Sequence, residues 1–210
     1  MHTELEIHPP RVALLAGAAF VLWNCAFLTA SITGVWLPIC TAAFLLDGLA
    51  LWSEPSLRRV SRPALSALGL GLAAAAFQIA ASLLLYPPAW KLVPGLWDAV
   101  NGLYRLLGHP NTWQAWLALP FVVLSEELIY RGALQGALEQ RLGRWLAVPA
   151  AVGLYTLAHL ASCNWALIAL TIPCGLFWGL LRAATKSLWA PVLCHLLWDW
   201  AILVVVPLGA

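Results

Sequence analysis

Six ionisable side chains sit inside sequence that is otherwise apolar. Glu126, Glu127 and Arg131 fall in Ser125-Glu126-Glu127-Leu128-Ile129-Tyr130-Arg131, His159 lies in a second apolar run, and His195 and Asp199 lie in a third. Ionisable groups buried in lipid cost several kcal/mol unless they are paired, and they face a bundle interior or water. Glu127 and Arg131 are four apart with the acid first, the favourable order for an intrahelical ion pair, so their expected role is mutual neutralisation. Glu126 points about 100° away from its neighbour on a helix and has no local cation. A carboxylate in that position can serve as a general base, and His159 could share a water with it. His195 and Asp199 are again four apart, so the carboxylate can fix the imidazole tautomer or pair with an imidazolium. An imidazolium can stabilise the oxyanion formed at a peptide carbonyl. A helix-packing hydrogen bond would explain either histidine alone; Glu126 converging with both points to a site.

These groups must be carried by membrane helices. The chain has 210 residues, 62% of them hydrophobic and only 10% charged, against about 25% charged in ordinary globular chains. Its mean hydropathy is +0.85. Crossing a bilayer core takes about 20 apolar residues. The breaks in the sequence predict an all-α polytopic bundle with spans near 12–30, 34–52, 64–86, 113–138, 145–161, 165–183 and 188–208. The first two, joined by the short Thr29–Gly34 segment, are the least sharply separated. The apolar run after Arg11 is longer than a signal-peptide core and lacks a persuasive cleavage site, so it is expected to stay as an anchor.

With seven spans, one side collects Arg11, Arg58, Arg59, Arg62, Arg141, Arg144, Arg182 and Lys186, and the other receives Lys91 and Arg105. The positive-inside rule then places the N-terminus in the cytoplasm and the C-terminus outside. At about 1.5 Å per residue, Glu126 lies roughly 18 Å from the cytoplasmic end of its span and His159 roughly 21 Å from the start of its own. His195 and Asp199 lie roughly 10 and 17 Å into the last span. All can meet in one layer, expected between the cytoplasmic third and the midplane.

Residues 87–112 differ in kind. Leu96, Trp97, Val100, Leu103, Tyr104 and Leu107 recur at helical spacing, which predicts an amphipathic helix on the outer surface, acting as a linker. The thirteen Trp suit an aromatic belt rather than a ligand site. Gly132/Gly136 and Gly175/Gly179 let helices approach closely. Five cysteines without a CxxC pair indicate neither a disulfide framework nor a zinc knuckle, and apolar packing is their expected role. No clustered basic face suggests nucleic acid.

Glu126-Glu127-x-x-x-Arg131, Tyr155-x-x-x-His159 and His195-x-x-x-Asp199, in this order on successive apolar segments, resemble the CPBP (CAAX protease and bacteriocin-processing, Abi) family of glutamic-type intramembrane endopeptidases. That family includes the CAAX prenyl endopeptidases of the Rce1 type. Gly175 and Gly179 upstream of Ser187 and Pro191 fit its third segment. The resemblance covers about residues 113–208, so residues 1–112 read as N-terminal helices plus an interfacial segment and 113–210 as the catalytic core of one membrane domain.

By that resemblance Glu126 and His159 activate water, His195 and Asp199 support the oxyanion, and Glu127, Arg131 and Tyr155 hold the site together. Tyr155 stands where Phe is usual, a conservative departure. Asp199 stands where Asn is common, so it should be protonated or act through His195. Two His and a carboxylate would also admit zinc, but no HExxH is present, and a metal-free mechanism without cofactor is preferred.

The implied partners are the lipid bilayer and a membrane-anchored protein or peptide, either a CAAX-type tail or a C-terminal sorting tail, and the short chain suggests a bacterial cytoplasmic membrane. Two other functions fit the residues. One is bacteriocin immunity or peptide binding without catalysis. The other is proton-coupled transport, because buried Glu and His also form proton relays; the absence of a long internal repeat weighs against it. Rhomboid and aspartyl types lack their motifs here.

Overall fold

The computed structural model describes residues 9–53, 57, 65–108 and 113–208, and these are helical throughout, without a strand. Helix α1 (Pro9–Thr33) turns through Gly34 into α2 (Trp36–Ser53). Gly34 has φ +75°, a conformation open to glycine without steric cost, and this lets the two least separable apolar runs form a tight hairpin. Helix α3 (Leu65–Leu92) and the shorter α4 (Leu96–Leu106) follow. One helical run then comprises α5 (Trp113–Glu126), a π-helical segment (Glu127–Leu134) and α6 (Gln135–Leu142). The chain reverses at Gly143 into α7 (Arg144–Ala158), passes a 3-10 turn at Leu160–Ser162, and enters α8 (Trp165–Thr185). It ends with α9 (Trp189–Asp199), continued by π-helical turns over Trp200–Val205.

Among the described residues, four helices are long and apolar enough to cross a membrane: Pro10–Thr33, Leu65–Leu92, Arg144–Ser162 and Trp165–Thr185. Trp36–Trp52 and Trp189–Val205 are shorter apolar helices. The run from Trp113 to Leu142 is interrupted by Glu126, Glu127 and Arg131, which lowers its apolar character. The link carrying Arg58, Arg59 and Arg62 lies outside the described residues.

Large apolar side chains such as Ile32, Phe44, Phe77 and Trp145 point outward, as a lipid-solvated surface requires. The interior instead uses small residues. Ala19, Ala26 and Ala30 of α1 and Ala42, Ala43 and Ala50 of α2 are buried, so the backbones draw close and dispersion between them replaces a hydrophobic driving force. A methyl added at Gly71 of α3 would stand 2.7 Å from the Ala190 carbonyl oxygen of α9. One added at Gly179 of α8 would stand 2.9 Å from Val148 of α7. The first contact makes α3, from the N-terminal half, a close support of the helix that carries His195.

Helix α4 is the amphipathic segment. It buries Leu103 and Tyr104 and leaves Trp97 partly exposed. Its backbone is tied down by side chains from elsewhere: Asn164 Nδ2 donates to Ala99 O at 2.7 Å and Trp36 Nε1 to Leu107 O at 3.0 Å. Tyr104 donates its hydroxyl to Ile202 O at 2.8 Å and accepts from Leu208 N at 2.8 Å. Burial pushes the Tyr104 phenol up to about 12, which keeps it a donor throughout the neutral range.

All five cysteines are free, but the expectation of buried packing holds only in part. Cys174 and Cys194 are buried, Cys40 is intermediate, and Cys25 and Cys163 are exposed. Cys25 lies on α1, and Cys163 caps the 3-10 turn with φ +50°.

Candidate active site

Glu126 is the last α-helical residue before the π-helical segment. A π-helical turn carries extra backbone per turn and occurs mostly at functional sites. All eight residues from Glu127 to Leu134 are buried here, whereas an ordinary amphipathic turn buries one face. The Glu127–Arg131 pair expected from spacing is present, with Arg131 Nη1 3.2 Å from Glu127 Oε1. The guanidinium lies over the Tyr155 and Trp178 rings, 4.6 and 5.3 Å from their centroids.

Helix α7 delivers Tyr155 and His159. His159 stands just past its last residue, with φ −98° and ψ 0°, in the bridge region where active-site residues are often found. Its Nδ1 is 2.9 Å from Tyr155 O. A carbonyl can only accept, so Nδ1 carries a proton, and Nε2 stands 3.6 Å from Glu126 Oε1. Asn24 of α1 pins the turn that follows, accepting from Ala161 N at 2.9 Å.

Helix α9 delivers His195 and Asp199. Here the tautomer partner differs from the expectation. His195 Nδ1 bonds Glu127 Oε1 at 2.9 Å, whereas Asp199 Oδ2 is 3.5 Å from Nε2, outside good hydrogen-bond range for a charged pair. Glu127 therefore fixes the ring and is more than a neutraliser of Arg131. Spacing of four aligns Asp199 with His195 along one helix face, but the neighbouring helix offers a better-aimed oxygen. His195 Nε2 also lies 3.8 Å from Glu126 Oε2.

Tyr155 needs a second correction. Its hydroxyl donates to Glu126 Oε2 at 2.8 Å, so replacing the usual Phe adds a direct hydrogen bond to the central carboxylate. The departure is not conservative.

The structure thus brings Glu126, Glu127, Arg131, Tyr155, His159, His195 and Asp199 into one buried cluster. Glu126, Tyr155, His159, His195 and Asp199 line a cavity of about 110 Å³, room for more than one water. The helical run continues to Leu142 rather than 138, and His159 is followed at once by the reversal at 160–164. Glu126 therefore stands near the middle of its run, and the cavity extends from it towards the end that carries α4, where Trp36, Leu106 and Leu107 line it. A larger apolar cavity of about 380 Å³ adjoins it behind α4, sharing Leu103 and Trp198.

Sequence reasoning missed two residues. Trp178 of α8 stacks on His195, with ring centroids 3.5 Å apart and planes 19° apart. Gln78 of α3 accepts from Trp178 Nε1 at 2.9 Å and contacts the thiols of Cys174 and Cys194 at 3.3 Å. Gln78 could have been found as a lone amide in an apolar span. Nothing local marks Trp178 among thirteen tryptophans.

Among the described residues no group of three or more His, Cys, Asp or Glu side chains is placed to hold a metal ion. No step is routed through a metal.

An all-helical membrane protein with glutamate and two histidines converging on a buried cavity is the class these observations define. Residues 108–201 match the family described as type II CAAX prenyl endopeptidase, Rce1-like. That segment, just under half of the chain, is similar to that family and bears out the resemblance carried by the three motifs. No curated protein and no solved structure matches the chain.

Proposed function

We propose that the protein is an intramembrane endopeptidase that hydrolyses a peptide bond in a membrane-anchored protein or peptide, with water activated by Glu126 and His159. The observation that carries this reading is the pair of acceptors, Glu126 Oε1 and His159 Nε2, facing one buried cavity at 3.6 Å from each other. One water can donate a proton to each. Its oxygen attacks the scissile carbonyl carbon while its proton passes to Glu126. The new oxyanion is held by Nε2–H of His195, an imidazolium because Glu127 takes Nδ1–H while Glu126 and Asp199 face Nε2. Asp199 acts through His195; an ionised carboxylate would repel the oxyanion directly. The intermediate then expels the amine, the C–N bond breaks, and Glu126 returns the proton to the leaving nitrogen. A new carboxyl terminus and a new amino terminus result, with Glu126 restored.

The neighbouring apolar cavity gives the hydrophobic flank of such a substrate a place to lie. The reading includes seven membrane passes with the N-terminus in the cytoplasm, supported by the distribution of Lys and Arg in the sequence. The test is a mass-spectrometric comparison of protein termini in host membranes carrying the wild type or Glu126→Gln at matched expression. Termini that depend on Glu126 support the protease and name its substrate. Their absence with the substrate present, and both proteins inserted, would move the reading to peptide binding or immunity.

A further inference from the structure

The cavity and the basic residues lie at opposite ends of the bundle. Phe27 near the end of α1, Trp36 at the start of α2, Leu106 and Leu107 at the end of α4, and Leu167 at the start of α8 line the cavity. Connectivity puts all of these at one end, together with the turn that follows His159. At the other end Arg11 opens α1, Arg141 and Arg144 flank the Gly143 reversal, and Arg182 and Lys186 close α8. The cavity end has Lys91 and Arg105.

Inserting the bundle with the cavity towards the cytoplasm would move these five basic residues across the membrane and retain two. Short basic loops stay on the cytoplasmic side. We infer that the site opens on the non-cytoplasmic face, beneath α4, and that its substrate is an exported polypeptide still anchored in the membrane and cut near the outer leaflet. The orientation stands on helix order and charge; the word substrate rests on the protease reading above.

The chemistry suits that side. The attacking water enters, and the two charged termini leave, through the end nearest the Glu126–His159 pair. Helix α4 lines that end with Leu103 and Leu106 and is held by hydrogen bonds from Asn164 and Trp36 and by its own Tyr104 to Ile202 and Leu208. A tail presented from the cytoplasm would have to pass the packed half, where a methyl added at Gly179 would stand 2.9 Å from Val148 and one added at Gly132 would stand 3.0 Å from Leu57.

The native Cys163, exposed in the turn beside His159, is a built-in reporter. The full chain would carry Cys25→Ser and Cys40→Ser and be treated in bacterial cells with a permeabilised outer membrane, using a membrane-impermeant maleimide. A second reporter at the cavity end is Asp98→Cys, on an exposed position of α4, and Gln140→Cys on α6 reports the basic end without altering charge; both are made in a Cys163→Ser background. Cys163 and Asp98→Cys should react from outside at least tenfold more than Gln140→Cys, which should react fully only after lysis. The reverse pattern, or failure of both cavity-end reporters to react until lysis, would overturn the inference. Adding Glu126→Gln should not alter labelling. A chain labelled from outside that shows no Glu126-dependent cleavage would keep the orientation and lose the protease reading.

Discussion

Trp178 lies flat on His195, with centroids 3.5 Å apart, and Gln78 holds the indole N–H at 2.9 Å. A residue of the N-terminal half, outside the matched segment 108–201, thereby orients the imidazole that faces Glu126. Gln78→Met keeps the side-chain length but leaves the indole and two thiols without their partner. The expected result is a fall in kcat of about tenfold with KM unchanged, since a buried hydrogen bond is worth about 1 kcal/mol or somewhat more. Steady-state kinetics in detergent would measure it, and an unchanged kcat would show that the stack keeps its geometry without Gln78.

Glu126→Gln keeps shape and removes the base, and His159→Ala removes the second acceptor at 3.6 Å. Each should abolish cleavage while the protein stays folded and inserted, as judged by gel filtration and thermal melts. Retained turnover in either purified variant would sink the proposed water activation.

Tyr155→Phe deletes one hydroxyl and leaves the ring packed against Tyr130 and beneath Arg131. Hydrogen bonds to charged groups are worth about 1.5–3 kcal/mol, so activity should change by about tenfold or more while the melting temperature moves little. Because the variant restores the residue usual in the resembled family, retained activity at a different pH optimum would show that the hydroxyl tunes Glu126. Identical pH–rate profiles would mean that the 2.8 Å bond has no part in the reaction.

Arg131→Ala removes the permanent cation 3.2 Å from the fully buried Glu127 and leaves only the His195 Nδ1 bond at 2.9 Å to balance it. Breaking a buried pair by removing one partner costs about 3–5 kcal/mol. A large drop in thermal stability in detergent is expected; an unchanged melt would contradict the structural role of the pair.

Chelation should leave activity intact, because every proton in the proposed reaction is carried by Glu126, His159 or His195. Activity lost on chelation and restored by added zinc would replace this mechanism with a metal-dependent one.

Much of this was legible in the residues. Charges inside apolar runs are so costly that their presence marks a shared interior, and Glu126, Glu127, Arg131, His159, His195 and Asp199 do meet there. The Glu127–Arg131 pair followed from helical spacing alone, because four residues bring side chains to one face whatever surrounds the helix. The amphipathic α4 followed for the same reason: its periodicity records which side faces lipid or protein.

Contacts between helices were not legible, because they depend on how far each helix slides and rotates against its neighbours. Spacing paired His195 with Asp199; packing gave its Nδ1 to Glu127, one helix away. The Tyr155 hydroxyl and the Trp178 stack arise in the same way, and so does the Gln78 amide reaching from α3. The π-helical widening after Glu126 buries a full turn that an α-helical reading leaves half outside. The sequence by itself determined that a charged cluster must be enclosed by apolar helices. Only the tertiary structure decided which oxygen faces which nitrogen and at which end the cavity opens, because those depend on interhelical register, which no local periodicity encodes.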